Sequence, residues 1–176
     1  MTAGPKAPKV CIGPHEEKER RMSHEARLAE LGITLPPVTA PAFDYVPAVV
    51  HGGLVWISGQ LPRAADGSLP HLGQLGDGVD VETGRKAAEL CALQALAVLR
   101  AAAGSLDNVA RAIKVTGFVA SAPGFVEQPK VVDAASNLLG RVFRDAGRHA
   151  RSAVGVAMLP RGVPVEIEFV FALKGS

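Results

Sequence analysis

Residues 149–171 read HARSAVGVAMLPRGVPVEIEFVF, and the layout of this stretch decides the fold. Two apolar runs, SAVGVAML and VEIEFVFAL, flank a breaker segment from Pro160 to Pro164, the pattern of two β-strands joined by a turn. Residues two apart on a strand share a face, so Val165, Ile167 and Phe169 point one way and Glu166 and Glu168 the other. Charged side chains are rarely fully buried unless paired, so Arg151, Glu166 and Glu168 need solvent, a partner or a chemical task. One reading has both glutamates facing water. The other sets that face against a second subunit and holds one glutamate there for acid–base work. Arg151 divides the same way, between a solvated guanidinium and a fork that captures a ligand carboxylate in bidentate fashion. A simple hairpin turning at residues 161 and 162 would put Arg151 opposite about residue 172, roughly 20 Å from Glu166. On that geometry the two are unrelated, or they meet only across two subunits.

Upstream, YVPAVVHGGLVWISGQLP reads as two strands around a tight turn at His51-Gly52-Gly53. His51 is then a turn residue and Trp56 a strand packing residue. Residues 63–78, rich in Gly and Asp, form a long loop. Val81 to Ala103 reads as a helix with Leu90, Leu93, Leu96, Ala97 and Leu99 on its packed side, ended by Gly104. VARAIKVTGFVAS is a strand. QPKVVDAASNLLGRVFRDAG is a second helix, carrying Val131, Val132, Ala135, Leu138, Leu139 and Val142 inward. The order β-β-α-β-α-β-β predicts an α+β domain, a mixed sheet with the two main helices on one face. The other face is bare, and is expected to be an oligomer surface. A short helix over 23–32, capped by Ser23 and stopped by Gly32, precedes TLPPVTAPAF, an extended proline-rich strap. Residues 1–22 are read as a loose tail or tag and 23–176 as a single domain.

The 19 Lys and Arg barely exceed the 17 Asp and Glu. Residues 1–22 hold five of the bases and three of the acids, so the remainder is neutral and offers no net field for a nucleic-acid backbone. Cys11 and Cys91 make neither a disulfide framework nor a metal site. Cys91, inside AAELCALQALAVL, is expected to be a buried, inert thiol. No apolar run has transmembrane length and the N-terminus lacks an apolar signal core, so the expected location is the cytoplasm.

The motifs SGQLP at 58–62 and HARSAVGVAMLPRGVPVEIE at 149–168, with Tyr45 about thirteen residues before the SGQ, resemble the YjgF/RidA family, formerly called the L-PSP endoribonuclease family. The strap, GFVASAPGFVEQPKVVDAASNLLG and AGRHARSAVGVA are similar to a longer branch of it, and the likeness runs from about Ala26 to Leu173. This resemblance implies a chorismate-mutase-like fold assembled as a homotrimer with clefts between subunits. It also implies hydrolysis of reactive enamine and imine intermediates, such as 2-aminoacrylate and its 2-imino acid, to a 2-keto acid and ammonia. The family's carboxylate-binding arginine falls on Arg151 and its water-activating glutamate on Glu166. Tyr45, Ser58 and Gly59 line the pocket, Ser136 and Asn137 lie near its polar position on the second helix, and Ala153 follows the arginine. No metal or organic cofactor is implied.

Beside Arg151, His149 offers a further base, although an exposed turn histidine is the expected state. Two alternatives stand next to imine hydrolysis. One is a non-catalytic trimer that binds small carboxylates. The other is the ribonuclease or translation inhibitor of the older family name, for which a neutral body with one Trp, one Tyr and no paired histidines is poorly suited.

Overall fold

The structure, a computed structural model, describes residues 22–175, so all of the expected tail at 1–22 except Met22, Cys11 included, lies outside the described residues. Helix α1 (His24–Glu30) starts where Ser23 accepts a hydrogen bond from the Ala26 amide, and the chain leaves it through Gly32 at φ 65°. The strap then runs without regular structure into β1 (Ala48–His51) and β2 (Leu54–Gln60). Gly52 and Gly53, both at positive φ, make the turn between them, the conformation a two-residue hairpin turn requires. The loop after β2 contains two short strands that the sequence did not signal, β3 (Gln74–Leu75) and β4 (Gly78–Val79), paired in parallel.

Helix α2 (Val81–Ala103) is capped by Asp80, whose side chain accepts from the Thr83 amide, and ends at Gly104 in the left-handed region. Its buried side is built less from leucines than from small residues, with Ala87, Ala88, Cys91, Ala92 and Ala95 all inaccessible, which brings the helix close to the sheet. Strand β5 (Val109–Ala120) follows, then helix α3 (Gln128–Phe143), which breaks into a 3-10 turn at Arg144–Gly147. β6 (Ala150–Val156) and β7 (Val165–Leu173) close the chain.

The five long strands are ordered β1-β2-β7-β5-β6, with antiparallel pairs except for β5 and β6, which run parallel. The expected terminal hairpin is therefore corrected. β6 and β7 do not pair, because β5 lies between them and bonds to both. The turn segment from Pro160 to Pro164 spans the width of that strand instead of reversing the chain on itself. A parallel pair needs such a crossover, here α3 between β5 and β6.

One face of the sheet packs on α2 and α3 through Val55, Ile57, Val115, Val119, Val165, Ile167, Phe169 and Phe171. Phe169 and Phe171 stack with centroids 6.1 Å apart, and Phe143 of α3 tilts onto Phe171 at 5.8 Å. Each buried side chain of this size contributes roughly 1.5–3 kcal/mol of transfer free energy. Much of the other face is open to solvent. Trp56, read from the sequence as a strand packing residue, is 52% exposed there beside Val170, and Phe118 and Val154 lie further along the same face. Among the described residues no helix is long and apolar enough to cross a membrane.

α3 is seated by a single missing side chain. Gly117 on β5 lies beneath Val132, and an added Cβ would collide with Val132 Cγ2 and reach 2.8 Å from its Cγ1. We expect Gly117→Ala to lower stability by about 1–3 kcal/mol through overpacking. Gly140→Ala, on the same helix but with open space around it, should be neutral or raise stability by up to about 1 kcal/mol. Thermal unfolding of the two variants checks the contrast.

Candidate functional site

The alternation of β7 sends Glu166 and Glu168 to the face away from the helices, but the two differ. Glu168 is exposed, whereas Glu166 is half-buried at the mouth of a cleft of about 540 Å³. The strap roofs this cleft with Phe43, Tyr45 and Pro47, and β2 lines it through Gly59. Ser58 ties the roof down, its hydroxyl donating to the Val46 carbonyl at 2.8 Å and its amide to Pro47 O at 3.0 Å. Gly59 is where the chain makes room for the carboxylate. A Cβ there would strike Glu166 Oε1 and lie 2.8 Å from its Cδ. Burial, and then the neighbouring Glu168 charge, push the Glu166 carboxyl above its ordinary range.

The sequence reading missed the rest of this wall. Arg63, Arg161, Gln60 and Gln94 also line the cleft. Gln94 is 4% exposed and donates through Nε2 to the Arg63 carbonyl. Arg161, at φ 60°, makes no side-chain hydrogen bond or ion pair among the described residues. A polar residue in the apolar run of α2 was the available signal for Gln94. Nothing local marks Arg161, because its place in the cleft depends on the crossover from β6 to β7. Cys91 sits behind this wall as the expected inert thiol: fully buried, with Sγ 3.7 Å from Val165 O and its acidity suppressed by burial and by Glu166.

Arg151 is elsewhere. On β6 it is level with Val115 and Phe169, whereas Glu166 is level with Phe118. Three residues along the sheet and two strands across it amount to about 14 Å between backbones, in place of the 20 Å a hairpin would give. The two side chains also leave opposite faces, since Arg151 leans on α3. Its Nη1 donates to Asp133 Oδ1 at 3.1 Å and to Ser136 Oγ at 2.9 Å, beside an open hollow shared with Arg85 and Lys130. One chain therefore cannot close Arg151 and Glu166 on one small ligand.

Of the other candidates, Ser136 stands directly at Arg151, while Asn137 is exposed and donates through Nδ2 to Asp133 Oδ2 at 3.4 Å. Ala153 packs half-buried against the core cluster. His149 is a correction to the exposed turn residue expected. It is half-buried, with Nδ1 2.6 Å from Gly147 O and Nε2 3.0 Å from Ser136 Oγ. Burial lowers its basicity, aided by the Arg151 charge and opposed by the bond to Gly147. Gly147 allows that bond by passing so near α3 that a Cβ would clash with the Leu139 carbonyl, lying 2.7 Å from its carbon. Among the described residues no group of three or more His, Cys, Asp or Glu is placed to hold a metal ion.

The family model described as "YjgF/chorismate_mutase-like, putative endoribonuclease" matches residues 25–172. A relative from Trypanosoma cruzi, "Protein TCP17", is 46% identical over 150 residues, covering 85% of this chain and 93% of its own. The crystal structure of a "putative endoribonuclease" from Shewanella oneidensis superposes with a TM-score of 0.83 at 32% identity, covering 86% of this chain and all of that one. E. coli TdcF with bound serine superposes at 0.54 with 27% identity, covering 80% and 94%. A strap, a glycine under a half-buried glutamate and an arginine bedded on the second helix thus sit within one family's sheet, and the chain belongs to the YjgF/chorismate-mutase-like family.

Proposed function

We propose that the protein hydrolyses 2-imino acids, and the enamines that tautomerise to them, at clefts formed between copies of the chain in a trimer. The observation that carries this reading is the half-buried Glu166, lodged over Gly59 under the strap and too far from Arg151 to share a ligand within one subunit. An arginine from one copy facing the glutamate cleft of the next supplies both halves of the site. The bare sheet face with Trp56, Phe118 and Val154 is the surface such an assembly would cover. That TdcF, a relative in the family, binds serine supports a pocket for a small molecule carrying a carboxylate.

In this mechanism Arg151 leaves Asp133 to hold the substrate carboxylate, which fixes the C=N carbon beside the cleft. Glu166 as carboxylate takes a proton from a water molecule as its oxygen bonds to that carbon. The imine enters protonated on nitrogen, so the C=N electron pair moves onto nitrogen as the water oxygen adds, and the adduct is a neutral carbinolamine. Glu166 then returns its proton to the nitrogen, the C–N bond breaks as the hydroxyl proton passes to the departing ammonia, and ammonium and a 2-keto acid leave. The raised proton affinity of Glu166 suits a group that must both accept and release a proton. A non-catalytic carboxylate-binding trimer is favoured by one feature only, that Arg151 is already engaged by Asp133.

Ammonia release from 2-aminoacrylate, generated from serine by a PLP-dependent dehydratase, tests the proposal. Arg151→Ala is expected to lower kcat/KM by about two to three orders of magnitude. Glu166→Gln should lower kcat by about 10²–10⁴-fold while ligand still binds. No acceleration by the wild-type protein would sink the catalytic reading, and binding that survives would favour the non-catalytic one.

The pH profile carries its own expectation. Glu166 works as a base only when ionised and its proton affinity is raised, so activity falls on acidification at a pH above the ordinary carboxylate range. Glu168→Gln removes one of the two causes and should move that acid limb to lower pH. An unmoved limb would mean Glu166 is not the group that titrates.

A further inference from the structure

At the Arg151 end of the site four groups form one chain of hydrogen bonds whose directions chemistry fixes. A backbone carbonyl only accepts, so the 2.6 Å contact is His149 Nδ1–H donating to Gly147 O. In the neutral ring Nε2 is then the acceptor, and the Ser136 hydroxyl donates to it at 3.0 Å. A guanidinium only donates, so Ser136 Oγ accepts from Arg151 Nη1 at 2.9 Å. Ser136 has one hydrogen, and while His149 is neutral that hydrogen is spent on the ring.

We infer that an anion docking on Arg151 is bound together with a proton taken up at His149, through Ser136. This rests on the reading above that Arg151 receives a ligand carboxylate. Protonation at Nε2 reverses the middle bond, because Nε2–H must donate to Ser136 Oγ. The serine hydrogen is released from the ring and turns to the anion lying against Arg151, which gains a second donor. The electrostatics point the same way, since the incoming anion adds a negative charge to the pair Arg151 already makes with Asp133, which favours an imidazolium beside it. The proton comes from solvent, which reaches the ring through an open hollow lined by Arg111, Arg148 and His149.

The charged groups around the ring leave room for this coupling. Arg111 on β5 donates to the Arg148 carbonyl at 3.0 Å, and Arg148 is paired with Asp145 in solvent. Lys114 donates to Ser152, whose side chain leaves β6 on the face opposite Arg151. Among the described residues Asp133 on α3 is the one carboxylate paired with Arg151, and it lies where a ligand carboxylate would bind. Exchange of Asp133 for a ligand carboxylate that also meets the Ser136 hydroxyl is what ties occupancy to the protonation of His149. His149 is thus a positioning residue acting through Ser136, on the opposite side of the substrate from Glu166.

The test is isothermal titration calorimetry of 2-oxobutanoate, a stable 2-keto acid, in buffers of different ionisation enthalpy and at pH 6 and 8. The wild-type protein should take up a fraction of a proton per site at neutral pH and bind about five- to tenfold more tightly at pH 6 than at pH 8. His149→Gln should bind with no net uptake and less than about a twofold pH effect. Ser136→Ala, which keeps the ring, should retain part of the uptake with weaker affinity, and histidine ¹⁵N shifts in that variant verify that the imidazole still titrates. Binding without proton uptake, or uptake unchanged in His149→Gln, overturns the inference and leaves the carboxylate site standing. Absence of binding removes the carboxylate reading itself and the inference with it. Loss of ammonia release with binding and uptake intact would strike only the catalytic proposal.

Discussion

The placement of β5 between β6 and β7 is the constraint on which the rest of the molecule depends. It converts what looks like a closing hairpin into a parallel pair on one side and an antiparallel pair on the other. The parallel pair demands a crossover helix, and α3 fills that role over Gly117. Once α3 is seated there, Asp133 and Ser136 are fixed beside Arg151, and the 3-10 turn after it delivers His149 to Ser136. The antiparallel side aligns β7 with β2, which carries Glu166 to Gly59 and the strap. Two chemically distinct half-sites, one cationic and one acidic, are thus separated by the width of a strand and by the sheet itself.

Each half has the electrostatic character its position dictates. Glu166 is held among apolar strap residues near a second carboxylate, so its proton is retained more firmly than a free carboxyl would retain it. Arg151 is bedded on an acidic and a hydroxyl group, with Nη1 donating to both, and the rest of its fork is what the proposal assigns to a ligand carboxylate. On the proposed reading neither half functions alone, and the partly apolar sheet face left open beside Glu166 is the surface that a second copy covers.

Most of the fold was legible because its signals are local. The Val81–Ala103 helix, the Gly52-Gly53 turn and β7 carry their own caps, breakers and alternation. The β1–β2 hairpin was legible, but the placement of the closing strands was not, since order in a sheet is a non-local property and consecutive strands with a short connection suggest a hairpin by default. The strands β3 and β4 escaped because two-residue segments carry no periodicity. Of the candidate residues named from motifs, Tyr45, Gly59 and Glu166 meet at the cleft under the strap, and Ser136 and Arg151 meet at α3. His149, Gln94 and Arg161 were undervalued or missed, because their settings arise from a helix end, a buried amide and a crossover that only the assembled sheet brings into place.

Subunit complementation tests the central claim most directly. Arg151→Ala and Glu166→Gln chains, each inactive alone, would be refolded together at equal concentration and assayed for imine hydrolysis after hybrid oligomers are verified by native mass spectrometry. If each cleft draws its arginine and its glutamate from different copies, random mixing leaves about one quarter of the clefts with both groups intact, and that share of activity should return. Verified hybrids as inactive as either parent would contradict a site shared between subunits.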